Sequence, residues 1–259
     1  MNIVVCVKQV PDTWAERKLK PGDATLDRES VDGLINELDE YAVEEALQIK
    51  EAHGGEVTVL TMGPEKAAES IRKALSMGAD KAVHLIDDAL AGSDVLQTSY
   101  ALAQVLGSIG FDLVVLGAES TDARMGAMAA MLAERLGVPQ LSLASKVEID
   151  GTAITIHRQS ENGYWKVAGD LPAVVSVVEK INEPRYPSFK GIMAAKKKPM
   201  QVMSLADAGI DPSLVGLANA ATEVVDFAER PPRQSGTIVK DEGDGGNKAA
   251  EFLAVSKFI

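Results

Sequence analysis

The sequence has 259 residues, of which 46% are hydrophobic and 25% charged, a composition typical of a folded globular protein with a sizeable core. Acidic residues outnumber Lys and Arg by 38 to 26, and a net charge of −12 argues against nucleic acid as a partner, because neutralising phosphates needs a basic surface. The single cysteine rules out an intrachain disulfide, and no apolar run approaches the ~18 residues of a membrane span. Since the start, MNIVVCVKQV, lacks a signal-peptide pattern, we expect a soluble cytoplasmic protein without membrane insertion.

Through the first half of the chain, short runs rich in β-branched residues alternate with amphipathic segments. The run NIVVCV predicts a buried strand, and the apolar positions of the next long segment recur with the helical period. Fully apolar strands that alternate with helices are typical of a parallel sheet covered on both faces. The predicted strands are 2–7, 57–61, 82–86 and 113–116, and the predicted helices are 39–52, 64–77, 94–106 and 125–136.

The pattern changes after Val138. Further apolar runs are separated by turn dipeptides such as Asp150-Gly151 and Asn162-Gly163, which is typical of antiparallel hairpins. The sequence therefore predicts an α/β fold, with a doubly wound, mostly parallel sheet of the Rossmann-like nucleotide-binding type and an antiparallel extension on one edge. The later predicted strands are 140–148, 152–159, 164–167 and 173–178.

The C-terminal part of the chain predicts an extended arm. Residues 230–247 are rich in Pro, Gly and charge and cannot bury much apolar surface, yet the chain finishes with an apolar, helix-like tail, AAEFLAVSKFI. This combination is typical of a segment that docks on another surface. We expect one α/β nucleotide-binding domain over 1–205 and a docking arm over 206–259.

The segment GAESTDARMG, residues 117–126, forms a turn between a predicted strand and a predicted helix. Free amides at a helix start, together with Arg124, favour an anion there. Asp122 would repel a phosphate unless it turns inward and caps the helix by accepting from the amide of Arg124 or Met125. A plain capped helix without a ligand remains the alternative, because the segment lacks the residues of a P-loop or a dinucleotide fingerprint.

No arrangement of catalytic residues emerges from the sequence. The histidines His53, His84 and His157 have no metal-ligand spacing, and Cys6 lies within an apolar strand, where a core role is favoured. Asn36 stands three residues before Asp39 and is interpreted as a helix cap. We therefore expect a binding protein without its own catalytic residues and without a metal.

The segment RYPSFKGIMAAKKK, residues 185–198, is unusual for a surface. Pro184, just before the segment, and Pro187 favour an extended start, and apolar residues precede three lysines. The lysines either favour the C-terminal end of a short helix as solvated charges or flank an exposed apolar docking anchor. The residues alone leave both readings open.

In this order, the segments resemble the beta subunits of the electron transfer flavoprotein family. The resemblance covers nearly the whole chain and includes VCVKQVPDT, NELDEYAVEEALQIKE, GPEKAAESIRKALSMGADKAVHL, DLVVLGAEST, LPAVVSV and NEPRYPSFKGIMAAKKK. It implies a heterodimer with an alpha subunit that carries most of the FAD contacts. It also implies that electrons pass from acyl-CoA dehydrogenases and other flavoprotein dehydrogenases to a quinone oxidoreductase, as in fatty acid oxidation.

The resemblance further implies that the beta subunit holds an AMP with a structural role. The residues implied in this cofactor site are Cys6, Asn36, Glu37, Leu38, Asp39, Met62, Gly117, Ala118, Glu119, Ser120, Thr121, Asp122, Ala123, Arg124, Met125 and Gly126. The loop over residues 117–126 is shorter in this chain than in better-known members of the family. Two alternatives are an electron-bifurcating type with FAD in the beta subunit and a stand-alone adenine-nucleotide-binding protein of stress-protein type.

Residues 182–199 match the family's recognition loop, in which an apolar residue enters a pocket on the dehydrogenase. Phe189 takes that place, where many members have Leu. Thr13, with Trp14 adjacent, replaces an aromatic residue that approaches the flavin in other members. The residues expected to bind the partner are Tyr186, Phe189, Ile192, Met193, Lys196, Lys197 and Lys198.

Overall fold

The computed structural model describes residues 1–229, 231–233, 235–236 and 238–259. It divides into two units, Met1–Glu223 and Val224–Ile259. The strands are β1 Asn2–Cys6, β2 Gln9–Pro11, β3 Gly33–Ile35, β4 Glu56–Met62, β5 Lys81–Leu85, β6 Leu113–Gly117, β7 Gln140–Asp150, β8 Ala153–Ser160, β9 Gly163–Asp170, β10 Ala173–Val177 and β11 Met200–Met203. The helices are α1 Glu37–His53, α2 Ala68–Met77, α3 Val95–Ile109, α4 Met128–Leu136, α5 Phe189–Ala195 and α6 Gly245–Val255.

The first unit contains a nine-stranded sheet in the order β11-β5-β4-β1-β6-β10-β7-β8-β9. The strands from β11 to β7 are parallel, and β8 and β9 continue the sheet as an antiparallel extension. The predicted fold class is therefore confirmed. The chain winds from β1 through β4 to β5 and then returns to β6 on the other side of β1, so the topological switch point lies beyond the carboxyl ends of β1 and β6.

Strand β10 differs from the hairpin arrangement that the sequence indicated. It lies between β6 and β7 and is parallel to both. All five of its residues, AVVSV, are buried. A strand with no solvated face fits the interior of a parallel sheet and not an antiparallel edge.

The core has two layers, one on each face of the sheet. Side chains alternate along β1, so Ile3 and Val5 pack in the layer that includes α1 and α2, while Val4 and Cys6 pack in the layer that includes α3 and α4. Since β1 is buried on both faces and paired on both edges, the residues that follow it have a well-defined position.

The first unit extends beyond residue 205, where the sequence placed the start of the arm. Ile210 and Val215 are buried in the core layer of α3, and the amides of Ala221 and Thr222 donate to Oδ2 of Asp94, the N-cap of α3. The second unit begins at Val224 and contains α6. Positions 230, 234 and 237 of the predicted arm lie outside the described residues. Within the described part of the chain, no helix is long and apolar enough to cross a membrane.

Candidate functional site at the switch point

A buried carboxylate, Asp39, joins three elements at the switch point. Oδ2 of Asp39 accepts a hydrogen bond of 2.8 Å from the amide of Lys8, directly after β1, and Oδ1 accepts one of 3.2 Å from the amide of Gly117. A Cβ at Gly117 would lie only 2.6 Å from Oδ1 of Asp39 and 2.8 Å from the carbonyl carbon of Leu38. The first turn of α1 therefore contacts the end of β6 closely, and position 117 needs glycine.

Burial also determines the protonation of two groups beside this junction. Burial raises the pKa of Asp39 to about 6, although hydrogen bonds from the amides of Lys8 and Gly117 oppose the shift. Burial, with a smaller contribution from the charge of Asp39, raises the pKa of Cys6 to about 12. Cys6 thus remains a thiol at neutral pH and has the character of a core residue.

Asn36 holds the loop after β6. It is the N-cap residue of α1, but its side chain makes no capping hydrogen bond. Nδ2 of Asn36 donates to the carbonyl of Glu119 at 3.0 Å, and Oδ1 accepts from the amide of Thr121 at 3.0 Å. Asn36 therefore occupies the predicted cap position, but its side chain binds a loop 83 residues away in sequence and does not cap the helix.

Asp122 does not cap a helix either. Its Oδ1 lies 2.9 Å from Nζ of Lys8 and its Oδ2 lies 2.6 Å from Nη2 of Arg28, while its side chain is 1% exposed. Burial disfavours the charged form, but the two cations outweigh it and hold the pKa of Asp122 well below its usual range. Helix α4 starts at Met128, three residues later than predicted, and its N-cap residue Ala127 provides no side-chain acceptor.

The helix start consequently keeps free hydrogen-bond donors. The first four amides of a helix have no partners within it, and among the first-turn amides of α4 in the described structure only Met131 finds an acceptor, the carbonyl of Ala127. Positive φ angles at Arg124 (49°) and Gly126 (64°) turn the loop towards this helix. Oγ1 of Thr121 is buried and has no hydrogen-bond partner among the described residues. These donors and the nearby cations can receive an anion.

The remaining residues of the expected site contribute less directly. The neighbouring strands β4, β1 and β6 end at Met62, Cys6 and Gly117. The parallel sheet therefore brings these three residues to the carboxyl ends of adjacent strands. Glu37 is exposed at the start of α1, and Leu38 contributes its backbone beside Gly117. Arg28, which sequence reasoning missed, comes from the long connection between β2 and β3, and no local pattern marks it.

A cleft of about 520 Å³ lies elsewhere, lined by residues such as Asn2, Lys81 and Gln201. These residues are at or near the amino ends of the strands, whereas ligands of doubly wound sheets bind at the carboxyl ends. In the described part of the chain, no group of three His, Cys, Asp or Glu side chains could hold a metal ion. The switch point is therefore the best candidate for a small-molecule site.

A second surface is formed by residues 182–199, which we call the docking segment. Tyr186 and Phe189 are 97% and 81% exposed, and Ile192 and Met193 of α5 are also exposed. Large exposed apolar side chains grouped on one segment are typical of an interaction surface. Lys196 and Lys197 flank them in solvent.

Lys198 differs from its two neighbours. Its Nζ donates to the carbonyl of Leu75 at 2.9 Å and to the carbonyl of Ala79 at 2.5 Å, at the C-terminal end of α2. Burial lowers its pKa. An ammonium at the last carbonyls of a helix satisfies acceptors that the helix leaves free, so Lys198 supports the fold at this position instead of extending the exposed surface.

The fold and the switch-point site define a doubly wound α/β protein with a candidate nucleotide-binding edge. Residues 23–208 match the family described as Electron transfer flavoprotein domain. Over its full length the chain is 56% identical to electron transfer flavoprotein subunit beta of Mycobacterium tuberculosis (strain ATCC 25618 / H37Rv), of which it covers 99%, and 36% identical to that of Megasphaera elsdenii, of which it covers 100%. Over 92% of each chain it is 37% identical to the caffeyl-CoA reductase-Etf complex subunit CarD of Acetobacterium woodii.

The chain belongs to the electron transfer flavoprotein family, as a beta subunit. The resemblance seen in its segments is thereby confirmed.

Proposed function

We propose that the chain pairs with an electron transfer flavoprotein alpha subunit and that the heterodimer carries electrons from acyl-CoA dehydrogenases and other flavoprotein dehydrogenases to a quinone oxidoreductase. The similarity to beta subunits over the full length of the chain supports this proposal. FAD, held mainly by the alpha subunit, supplies the redox chemistry when bound. The beta chain contributes a structural nucleotide site and a surface for the electron donor.

We further propose AMP as the nucleotide at the switch point. Lys8, Arg28 and Arg124 bring three positive charges to this site, while Glu119 and Asp122 bring two negative charges, so these side chains have a net charge of +1. A positive balance of charge favours an anion such as a phosphate monoester, which carries about −1.5 to −2 near neutral pH. The unpartnered Oγ1 of Thr121 and the free amides of α4 add hydrogen-bond donors.

The role of AMP in this proposal is structural. Asp39 and Asn36 already fix the base of the loop, whereas Arg124 and Gly126 lie on its exposed side. A ligand that binds only the folded state raises the free energy of unfolding by mass action. Loss of AMP is therefore expected to lower stability without removing the redox group.

Identification of the released nucleotide tests this proposal. The purified heterodimer is denatured by heat, and FAD and AMP are quantified in the supernatant. One FAD and one AMP per heterodimer is the expected result. Two FAD without AMP would indicate the electron-bifurcating type with FAD in the beta subunit, and hydrolysis of ATP by the chain alone would indicate a stand-alone nucleotide-binding protein.

Substitution of Phe189 tests the donor surface. The side chain is 81% exposed, so Phe189→Ala should leave the fold and the flavin content unchanged but raise the KM for an acyl-CoA dehydrogenase. Leu214→Ala provides a control, because Leu214 is also exposed (52%) but lies outside the docking segment. An unchanged KM for Phe189→Ala would contradict this role.

A further inference from the structure

The guanidinium of Arg185 lies between two carboxylates of α1, at the start of the docking segment. Nε and Nη2 of Arg185 donate to Oε2 and Oε1 of Glu44 at 2.7 and 3.0 Å. Nη1 and Nη2 also donate to Oε1 and Oε2 of Glu51 at 2.6 and 3.2 Å. Both carboxylates are thus bound in the bidentate manner for which a guanidinium is suited and an ammonium is not.

The interaction with Glu44 also fixes the backbone. The amide of Arg185 donates to Oε2 of Glu44 at 3.1 Å, and Nε2 of Gln48 donates to Oε1 of Glu44 at 2.9 Å. The side chain of Glu44 is only 5% exposed. Burial disfavours its charge, but the hydrogen bonds from Arg185 and Gln48 keep the pKa of Glu44 below its usual value, so the pair stays ionised.

Three more contacts hold the docking segment along its length. Nδ2 of Asn182 donates to the carbonyl of Tyr41 at 3.2 Å. A Cβ at Gly191 would lie 2.4 Å from the carbonyl oxygen of Ser76, so α5 contacts the end of α2 directly. Lys198 anchors the far end of the segment on the same helix. Between these contacts, the most exposed apolar side chains project into solvent from a backbone that is fixed on both sides.

We infer that Arg185, Glu44 and Glu51 form a positioning clamp that fixes the docking segment in its binding conformation before a donor flavoprotein arrives. The inference rests on the proposed function, since it assumes that Phe189 contacts the donor. A surface that is already ordered loses less conformational entropy on association, so the clamp contributes to affinity through the segment and not through contact with the donor.

Arg185→Lys in the heterodimer tests the clamp, because lysine keeps the charge but cannot bind both carboxylates with paired hydrogen bonds. With acyl-CoA dehydrogenase reduced by octanoyl-CoA as the probe, we expect the KM for the dehydrogenase to rise about three- to tenfold, with kcat and FAD content unchanged. Glu51→Gln removes only the outer half of the clamp and should raise the KM for the dehydrogenase by less. Because the side chain of Glu51 is 59% exposed, this variant should fold even if Arg185→Lys does not. Lys73→Gln is the matched control. It removes an ion pair between Lys73 of α2 and Glu40 of α1, and neither residue belongs to the docking segment.

A double-mutant cycle separates positioning from general stability. If Arg185 acts by placing Phe189, then Arg185→Lys should add little to the KM effect in a Phe189→Ala background, whereas independent effects would multiply. Hydrogen exchange provides a second readout. The amides of residues 188–195 should exchange faster in Arg185→Lys, while those of the central strand β1 should not change.

The possible failures are distinguishable. An unchanged KM for Phe189→Ala would contradict the donor surface in the proposed function. A raised KM for Phe189→Ala together with an unchanged KM for Arg185→Lys would overturn the clamp alone. Multiplicative effects in the double variant, or unchanged exchange over 188–195, would also overturn it.

Discussion

The Oδ1 of Asp39 accepts a hydrogen bond from the amide of Gly117 across 78 residues of sequence. The contact joins the first turn of α1 to the end of β6, and the other carboxylate oxygen binds the amide that follows β1. One buried side chain thereby connects α1 to the ends of both strands that flank the switch point. The candidate nucleotide loop begins at this junction.

The close approach at Gly117 leads to a simple prediction. Gly117→Ala should lower the free energy of unfolding by about 1–3 kcal/mol, because its Cβ would overlap with Oδ1 of Asp39 and the backbone of Leu38. Gly107→Ala is the control. Gly107 lies inside α3 with no atom near the added Cβ, so alanine there should increase stability by up to about 1 kcal/mol. Urea unfolding of both variants measures the two effects, and equal stability of the two would contradict this account of the junction.

Asp39 should make stability depend on pH in a defined direction. Its pKa is about 6 in the folded protein and about 3.9 in an unfolded chain, so the folded state binds the proton more tightly. The contribution of Asp39 to the free energy of unfolding is therefore full below pH ~4 and is lost as the pH rises through ~6, a change on the order of 3 kcal/mol.

Asp39→Asn allows this contribution to be measured, because asparagine does not titrate. The difference in unfolding free energy between the wild type and Asp39→Asn should fall as the pH rises from about 4 to about 6. A difference that stays constant over this range would show that the folded pKa is not raised. Asparagine also leaves one of the two amides without an acceptor, so the variant should be less stable at low pH by about 1–3 kcal/mol.

Asp122 should show the opposite pH dependence. Its pKa is lowered by Lys8 and Arg28, so its contribution is present above the unfolded pKa of about 3.9 and is lost as the pH falls below it. Asp122→Asn should lower the free energy of unfolding at pH 7 by about 1–3 kcal/mol, with a smaller loss as the pH approaches 3. Both cations are about 40% exposed and can be rehydrated, which keeps the effect below that of a fully buried pair. A loss that does not shrink on acidification would argue against the ion pairs.

Lys197 and Lys198 are neighbours in the docking segment, but Lys197 is exposed and Lys198 binds backbone carbonyls, so substituting each in turn tests whether only Lys198 supports the fold. Lys198→Met removes the donor to the carbonyls of Leu75, in the last turn of α2, and of Ala79, just after the helix, and should lower stability by about 1–2 kcal/mol. Lys197→Met changes an exposed side chain and should leave stability within about 0.5 kcal/mol of the wild type. Thermal or urea unfolding of the pair provides the measurement. Equal effects would contradict the assignment of Lys198 to the helix end.

Local patterns were sufficient to predict most of the elements. The strands β1, β4, β5 and β6 and the helices between them were predicted to within a few residues, because strand and helix periodicities are properties of neighbouring side chains. Helix α3 was predicted from Asp94, and the structure shows a capping box between Asp94 and Gln97. The strands β2, β3 and β11 were not predicted, since three or four residues are too few to show a period.

The candidate site depended on long-range contacts that a local pattern does not contain. The loop 117–126 could be predicted from the strand that precedes it, but Asp122 looked like a cap because only nearby amides are visible in the sequence. Its actual partners, Lys8 and Arg28, are 114 and 94 residues away. The side chain of Asn36, at the predicted cap position, likewise binds this loop instead of capping α1.

The sequence by itself determined the alternation of strands and helices, the family and the two candidate surfaces. These follow from periodicity and from motifs that are continuous in the chain. Only the tertiary structure decided which charges meet, that Asp39 joins β1 to β6, that Arg185 binds α1 and that Lys198 belongs to the fold. Hydrogen bonds and ion pairs depend on distances of about 3 Å between groups, and those distances exist only after the sheet order has brought separate segments together.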